Sequence, residues 1–300
     1  MRQQKKLKYG FFSIIVFCIL AGIFFIHPMK TQAASFKTGF FNGDNRVKTG
    51  KYYFWMSGNT IYASTSKKGT GKVVAKASKG HSINYIGGFV TDGSVLYYLE
   101  EDVYKEGAQA FAYIYSVKIS GKNRTLIGKV KDGHSIQAYY NGKFYLAYLI
   151  DGDISRMGTY RFDMKTKKGK IIQKDAIPVD QYKQYLLVYD RIRWNPNGYI
   201  YNCKTEKFLK FSSNIGGGGA LNFASGKVYY AEKINKSSVK IKSCSLTGKN
   251  KKTIVAKLSA DFVGKITSKQ VYYGKKGKFY CYNIKTKKSK KISESKFQWQ

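Results

Sequence analysis

Six aromatic-rich strand patterns recur along this chain, and their spacing limits its fold more than any single residue does. The anchors are Tyr52-Tyr53-Phe54, Leu96-Tyr97-Tyr98, Phe144-Tyr145-Leu146, Tyr185-Leu186-Leu187, Val228-Tyr229-Tyr230 and Val271-Tyr272-Tyr273. Successive anchors lie 41 to 48 residues apart, the length of a four-stranded blade in a β-propeller. The pattern predicts an all-β fold, a six-bladed β-propeller of four-stranded antiparallel blades. Stacked sheets are the competing arrangement, but even spacing favours radial repetition, in which each blade buries both faces against its neighbours.

The best-defined unit runs from His81 to about Val130. Its strands are expected at Ser82 to Ile86, Val95 to Leu99, Ala112 to Ile119 and Thr125 to Val130, with Asp92-Gly93 and Ser120-Gly121 as turns. A local phrase links three other units: Tyr160-Arg161-Phe162-Asp163-Met164-Lys165-Thr166 is answered by Tyr199 to Thr205 and again by Tyr280 to Thr286. Ring closure is expected from a flanking segment, either Phe36 to Phe41 or Lys296 to Gln300, where Trp299 offers a ring to bury.

The first 34 residues read as an export signal. Arg2, Lys5, Lys6 and Lys8 precede an apolar run from Phe11 to Ile26, and Ala33, Ala34 and Ser35 offer a cleavage site. The run is short for a bilayer helix, so cleavage is expected and an uncleaved anchor is the alternative. Residues 35–300 then form a single propeller domain, secreted or attached to the cell surface outside the cytoplasm. Of the formal charge of +37, about +32 stays with that domain, because the removed segment holds five basic residues and no acid. Such a charge draws the domain to anionic surroundings. Export makes a cell-envelope polymer or polysaccharide the expected partner, with an extracellular protein as a second. Nucleic acid is disfavoured, since no sequence-reading helix is present and strand packing accounts for the aromatics.

The repeats resemble secreted bacterial propellers of uncharacterised function, and are similar in style to the six-bladed propellers of low-density-lipoprotein-receptor-type proteins. The likeness covers about residues 45 to 293 and rests on Lys51-Tyr52-Tyr53-Phe54, Val95-Leu96-Tyr97-Tyr98, Lys227-Val228-Tyr229-Tyr230 and Val271-Tyr272-Tyr273, with downstream strands of the Ile114-Tyr115 and Tyr280-Cys281-Tyr282 types. It implies the fold. The receptor-type Tyr-Trp-Thr-Asp signature is absent, so receptor ligand chemistry does not carry over.

Up-and-down strand order assigns every connection to a face. Turns joining strands one to two and three to four share one end of a blade, here called the turn rim. Loops joining two to three share the other end, the crossover rim, with the passages between blades. Lys122, Arg124, Lys167, Lys168, Lys251, Lys252, Lys287 and Lys288 fall in three-to-four turns and are expected to bind an anionic surface diffusely, as lysine does. Longer loops on the crossover rim carry Glu100, Glu101, Asp102, Asp151, Asp153, Asp190, Arg193 and Trp194. His81 and His134 enter at matching crossovers. The expected ligand site comprises Trp194 with Arg193 and Asp190, then His81, His134, Asp151 and Asp153, near the channel mouth.

No catalytic residue, metal or cofactor is assigned. The paired histidines read as caps copied with their blades. Asp151 and Asp153 lack the later ligands of a calcium loop, and Gly216 to Gly219 lacks the lysine and Ser/Thr of a phosphate loop. The enzymatic alternative is a polysaccharide hydrolase or lyase drawing on Asp190, Glu232, Asp261 and His134. Cys203, Cys244 and Cys281 form no zinc spacing and, being odd in number, no complete disulfide set; Cys203 is expected to be buried.

Overall fold

The computed structural model describes residues 36–41, 44–84, 87–103, 111–150, 153–190, 196–216 and 220–298. The export segment, Trp299, Asp151, Arg193 and Trp194 lie outside them. Within them the chain forms six antiparallel sheets in succession. Sheet 1 comprises Val47–Thr49, Tyr52–Ser57, Thr60–Ser64 and Lys72–Lys76. Sheet 3 comprises Gly133–Tyr140, Lys143–Ile150, Asp153–Asp163 and Lys168–Gln173; sheet 4 has Ala176–Tyr182, Tyr185–Asp190, Gly198–Asn202 and Lys207–Ser212. Sheet 5 consists of Leu221–Ala224, Lys227–Asn235, Ser238–Cys244 and Lys252–Ser259, and sheet 6 of Phe262–Ile266, Gln270–Lys275, Lys278–Asn283 and Lys288–Ile292.

Sheet 2 departs from the four-strand plan. Its inner position is shared by His81–Ser82 and Gly88–Thr91, both paired with Val95–Asp102; Phe111–Lys118 and Thr125–Lys131 follow. The expected single inner strand over 82–86 is thus interrupted. Gly88, which opens the second piece, runs so close to sheet 3 that a Cβ there would come within 1.5 Å of the Ile136 carbonyl oxygen. The segment Lys37–Phe40 adds a further strand against Gly88–Thr91. Phe41 anchors it on Phe89, ring centres 4.6 Å apart, and Phe36 packs on Tyr139 at 4.4 Å.

Five hydrophobic cores lie between consecutive sheets. Phe54 and Met56 of sheet 1 meet Phe89 and Tyr98 of sheet 2. Val90 and Leu99 meet Phe144 and Leu146 of sheet 3, and Tyr145 meets Leu186, Val188 and Tyr201 of sheet 4. Leu187 and Ile200 join Leu221 and Tyr230 of sheet 5, while Ala231 and Ile241 join Val263, Ile266 and Val271 of sheet 6. The alternation of side chains along a strand lets one strand serve two cores: Leu186 and Val188 face back to sheet 3, and Leu187 between them faces forward to sheet 5. Each such side chain contributes about 1.5–3 kcal/mol by leaving water.

Among the described residues no core of this kind joins sheet 6 to sheet 1. Of the two flanking segments expected to lock those sheets together, neither is seen to do so among the described residues, and Trp299 lies outside them. The N-terminal strand pairs with sheet 2. The C-terminal segment returns to its own sheet, where the Lys265 N–H donates to the Gln298 carbonyl at 2.9 Å and Phe297 packs on Phe262 and Phe279. Among the described residues the sheets therefore form a propeller-like series that no shared strand closes.

Lysines also line the outermost strands, as in Lys72–Lys76 and Lys288–Ile292. Charged side chains on an unpaired edge discourage pairing with another chain, which accounts for part of the basic composition on structural grounds alone.

Candidate functional site

On the turn rim the repeated phrase has a common cause. Asp163 Oδ1 accepts the N–H groups of Lys165 and Thr166 at 2.9 and 3.1 Å. Asn202 Oδ1 does the same for Lys204 and Thr205, and Asn283 Oδ1 accepts Thr286 N–H at 3.0 Å. These side chains fold the backbone into a turn by replacing a carbonyl acceptor. The chain leaves each turn through a residue with positive φ: Lys167 at 57°, Glu206 at 57° and Lys287 at 56°. Sheets 2 and 5 use a second design with two such positions, Gly121 with Asn123 and Gly248 with Asn250.

Both designs hold lysines outward. Lys122, Lys167, Lys168, Lys251, Lys252, Lys287 and Lys288 are exposed, and none makes an ion pair among the described residues. The acids of this rim are all engaged. Asp92 Oδ1 accepts Ser94 and Val95 N–H groups at 2.7 and 2.8 Å. Asp163 is occupied by its own turn, and the Thr166 and Lys165 N–H groups hold its carboxyl below the usual range. Glu206 receives Arg161 and Lys143 from sheet 3, with Lys143 Nζ at 2.9 Å, and these partners depress its pKa to about 2.

Arg124 departs from the expectation for this rim. Its guanidinium lies 3.8 Å over the Tyr115 ring. It donates to Tyr98 Oη at 2.8 Å, to Ser78 Oγ at 2.7 Å and to Glu100 Oε1. Glu100 is fully buried, so Arg124 is the counter-charge of an interior carboxylate rather than a free surface cation. Burial by itself would raise Glu100; the Ser78 N–H and Arg124 outweigh it and hold the acid ionised.

Glu100 also leads to the histidines. His81 Nδ1 lies 3.3 Å from Glu100 Oε2 and its Nε2 lies 3.6 Å from Asp102 Oδ1. Its ring stacks on Tyr113 at 4.4 Å. His134 Nδ1 stands 3.4 Å from Glu101 Oε1, without the geometry of a hydrogen bond. The structure therefore gathers His81 and His134 around adjacent carboxylates of one strand, a grouping the crossover phrases signalled only as matching positions. No group of three His, Cys, Asp or Glu among the described residues is arranged to hold a metal.

Asp190 is 3 % exposed. It exchanges main-chain and side-chain bonds with Asn197, whose Nδ2 lies 3.3 Å from Asp190 Oδ2. Asn197 thus holds Asp190 at the end of its strand, while Arg193 and Trp194, its expected companions in the ligand site, lie outside the described residues. The backbone of Asp153 begins the third strand of sheet 3. A cavity of about 290 Å³ opens nearby, lined among others by Tyr189, Pro196, Lys233, Asn235 and Asp261.

The four residues of the enzymatic alternative each hold a partner of their own. Glu232 pairs with Lys242 at 2.7 Å, Asp261 accepts the Lys276 N–H at 2.6 Å, Asp190 binds Asn197 and His134 faces Glu101. Each serves its own neighbourhood.

Sequence reasoning missed a set of polar bridges between the inner strands. The Gln181 carboxamide accepts the Tyr139 N–H at 3.1 Å and donates to the Tyr139 carbonyl at 2.6 Å. Asp180 Oδ2 accepts the Phe223 N–H at 2.7 Å, and Asn222 bonds both ways with Ile266 at 2.9 and 2.7 Å. These side chains do between sheets what a neighbouring strand does within one. Burial raises the Asp180 pKa against the opposing effect of its two N–H donors. The available signal was the polar pair Asp180-Gln181, and lone Asn222, inside apolar inner strands.

Cys203 and Cys244 are free and buried, and Cys281 is free and partly exposed. Burial pushes the Cys203 thiol up to about 12.

No protein-family model and no curated protein matches this chain. Solved structures match by fold. An oligogalacturonate lyase in complex with manganese is 11% identical, with a TM-score of 0.52 over 89% of this chain and 81% of its own. An acylaminoacyl peptidase bound to a chloromethyl ketone is 11% identical, with a TM-score of 0.51 over 88% of this chain and 46% of its own. TolB from Acinetobacter baumannii is 10% identical, with a TM-score of 0.45 over 87% of this chain. The chain spans 64% of that TolB and under half of the peptidase. At these identities the likeness concerns architecture, which is that of β-propellers.

Proposed function

We propose that this protein is a non-enzymatic binding module outside the cytoplasm, held to an anionic cell-envelope polymer or polysaccharide by the lysines of its turn rim. The longer connections of the crossover rim, with the cavity beside Tyr189 and Pro196, then meet a glycan or an extracellular protein. One observation carries the reading: turn-rim lysines stand exposed and unpaired while Asp92, Asp163 and Glu206 on the same rim are spent on their own turns and partners. The net field at that rim is therefore positive. The lyase and peptidase likenesses extend to fold alone, and Asp190, Glu232 and Asp261 are each engaged by a partner within the protein, so binding is favoured over the hydrolase or lyase reading.

The test is retention on immobilised anionic envelope polymer at low and high salt. Retention that falls steeply with salt, and falls again when Lys167, Lys168, Lys251 and Lys252 are changed together to glutamine, supports the proposal. Equal loss on changing Lys76, Lys131, Lys174 and Lys257, which lie towards the crossover rim, would show that only overall charge matters.

A further inference from the structure

Sheet 6 has one face in a core and one without. Val271 and Tyr273 pack towards sheet 5. The alternate residues form the other face, and their register is fixed: Gln270 opposes Asn283 and Asn283 opposes Lys288; Tyr272 opposes Cys281 and Cys281 opposes Lys290. At the crossover end this face is plugged by Phe262, Phe279 and Phe297. Towards the turn rim it opens into a groove of about 560 Å³, within the size range of small-ligand sites.

The groove is a field of donors. Tyr272 Oη donates to Gln270 Oε1 at 3.0 Å, and Asn283 Oδ1 is taken by the Thr286 N–H. Both carboxamide NH2 groups are left without a partner among the described residues. Lys288 and Lys290, two residues apart on one strand, leave the same face of the sheet from backbone positions roughly 7 Å apart. Lys296 adds a third cation, and no Asp or Glu lines the groove. An occupant must therefore be rich in acceptors and negatively charged.

We propose that this groove binds an acidic oligosaccharide of the uronate type. Carboxylates sit at Lys288 and Lys290, ring and hydroxyl oxygens accept from Gln270 and Asn283, and the apolar flank of a sugar rests against the Tyr272 edge beside Cys281. A polyphosphate would use the lysines and the amide donors but has no apolar face to set against Tyr272. An acidic peptide joins a sheet through edge backbone, whereas this surface is a face that offers side chains alone. The groove shares Lys288 with the turn rim but takes nothing from Lys167, Lys168, Lys251 or Lys252, so failure of this proposal and failure of the polymer reading can be told apart.

Cys281 provides the readout. It lies in the groove, while Cys203 and Cys244 are buried and serve as internal references. Iodoacetamide, an uncharged reagent, is followed at each cysteine by mass spectrometry in the full-length protein at mildly alkaline pH. A tetrauronate at ten times its Kd is expected to slow Cys281 alkylation by about tenfold, with neutral tetrasaccharide without effect. Lys288→Gln with Lys290→Gln abolishes the protection; Lys167→Gln with Lys168→Gln retains it even where envelope-polymer retention is lost. No protection by tetrauronate across a concentration series would overturn the proposal. So would equal protection by polyphosphate or polyglutamate of matched charge.

Discussion

Glu100 and Glu206 each take an arginine, one towards the crossover rim and one on the turn rim, and they keep very different amounts of water. The Glu100 side chain is 0 % exposed and that of Glu206 is 35 % exposed. The first carboxylate belongs to the packing between sheets 1 and 2, where Tyr98, Ser78 and His81 complete its shell. The second sits in a surface turn and ties sheet 4 to sheet 3. Glu100 is thus part of the interior, whereas the turn rim uses its few acids locally and leaves its lysines to act outward. If that contrast holds, removing the partner of each acid must have unequal costs.

The largest effect is expected from Arg124→Ala. It strands a buried carboxylate, a change that typically costs 3–5 kcal/mol; because Arg124 is about a third exposed, the lower end, about 3 kcal/mol, is expected. Urea unfolding measures it, as a lowered midpoint at unchanged slope. A cost below about 1 kcal/mol would place Glu100 in the same class as a surface acid and end the contrast. Arg124→Ala with Glu100→Gln should recover part of the loss, since the charge that needed compensation is gone.

Next comes the outward consequence. Replacing Lys167, Lys168, Lys251 and Lys252 by glutamine should weaken polymer binding by about tenfold at low ionic strength, about 1.4 kcal/mol, with little difference at high salt. Folding stability should change by less than about 0.5 kcal/mol. Equal weakening from the lysines towards the crossover rim would erase the functional difference between the two ends.

What could be read in advance follows the range of the forces involved. Strands were legible because aromatic and β-branched residues alternate within a few positions, and the turn rim because Asp163, Asn202 and Asn283 act on N–H groups two or three residues away. Arg124 was misplaced because its sequence neighbours, Lys122 and Asn123, describe a basic surface turn, whereas its partners Ser78 and Glu100 lie 46 and 24 residues off. Asp190 likewise has a partner, the Asn197 amide, that its place before a long connection does not announce. The groove on sheet 6 depends on which face has no neighbouring sheet, and a repeating pattern treats every blade alike.

Acid titration separates the two carboxylates further. Glu206 has a folded pKa of about 2, below the ordinary value near 4.3. Its contribution is therefore fully present above the unfolded value and is lost as pH falls from about 4.3 through about 2. With Glu206 a third exposed, screening limits the amount to about 1 kcal/mol. Glu206→Gln should flatten the stability curve over that window and leave it unchanged at pH 7 relative to pH 6. Glu100 is also lowered, so a residual acid slope in the Glu206→Gln protein is expected; it should shrink when Glu100→Gln is added, and Asp163, lowered by its own turn, keeps part of it.

The smallest effect gives the cleanest measure of the Glu206 ion pair. Lys167 and Glu206 occupy equivalent turn positions with the same φ of 57°, a conformation that costs a side-chain-bearing residue about 1–2 kcal/mol and glycine little. Glycine also gains freedom in the unfolded chain, which returns part of that benefit. Lys167→Gly should therefore stabilise by about 0.5 kcal/mol. Glu206→Gly receives the same backbone gain and loses Lys143 and Arg161, so it should destabilise by about 0.5 kcal/mol. Because the backbone contribution is common to both, the difference between the two variants reports the side-chain interaction without needing the strain energy itself. Equal shifts in the two proteins would mean that the Glu206 cluster adds nothing to folding, and the turn rim would then hold an acid whose only effect is to mask two of its neighbours' positive charges.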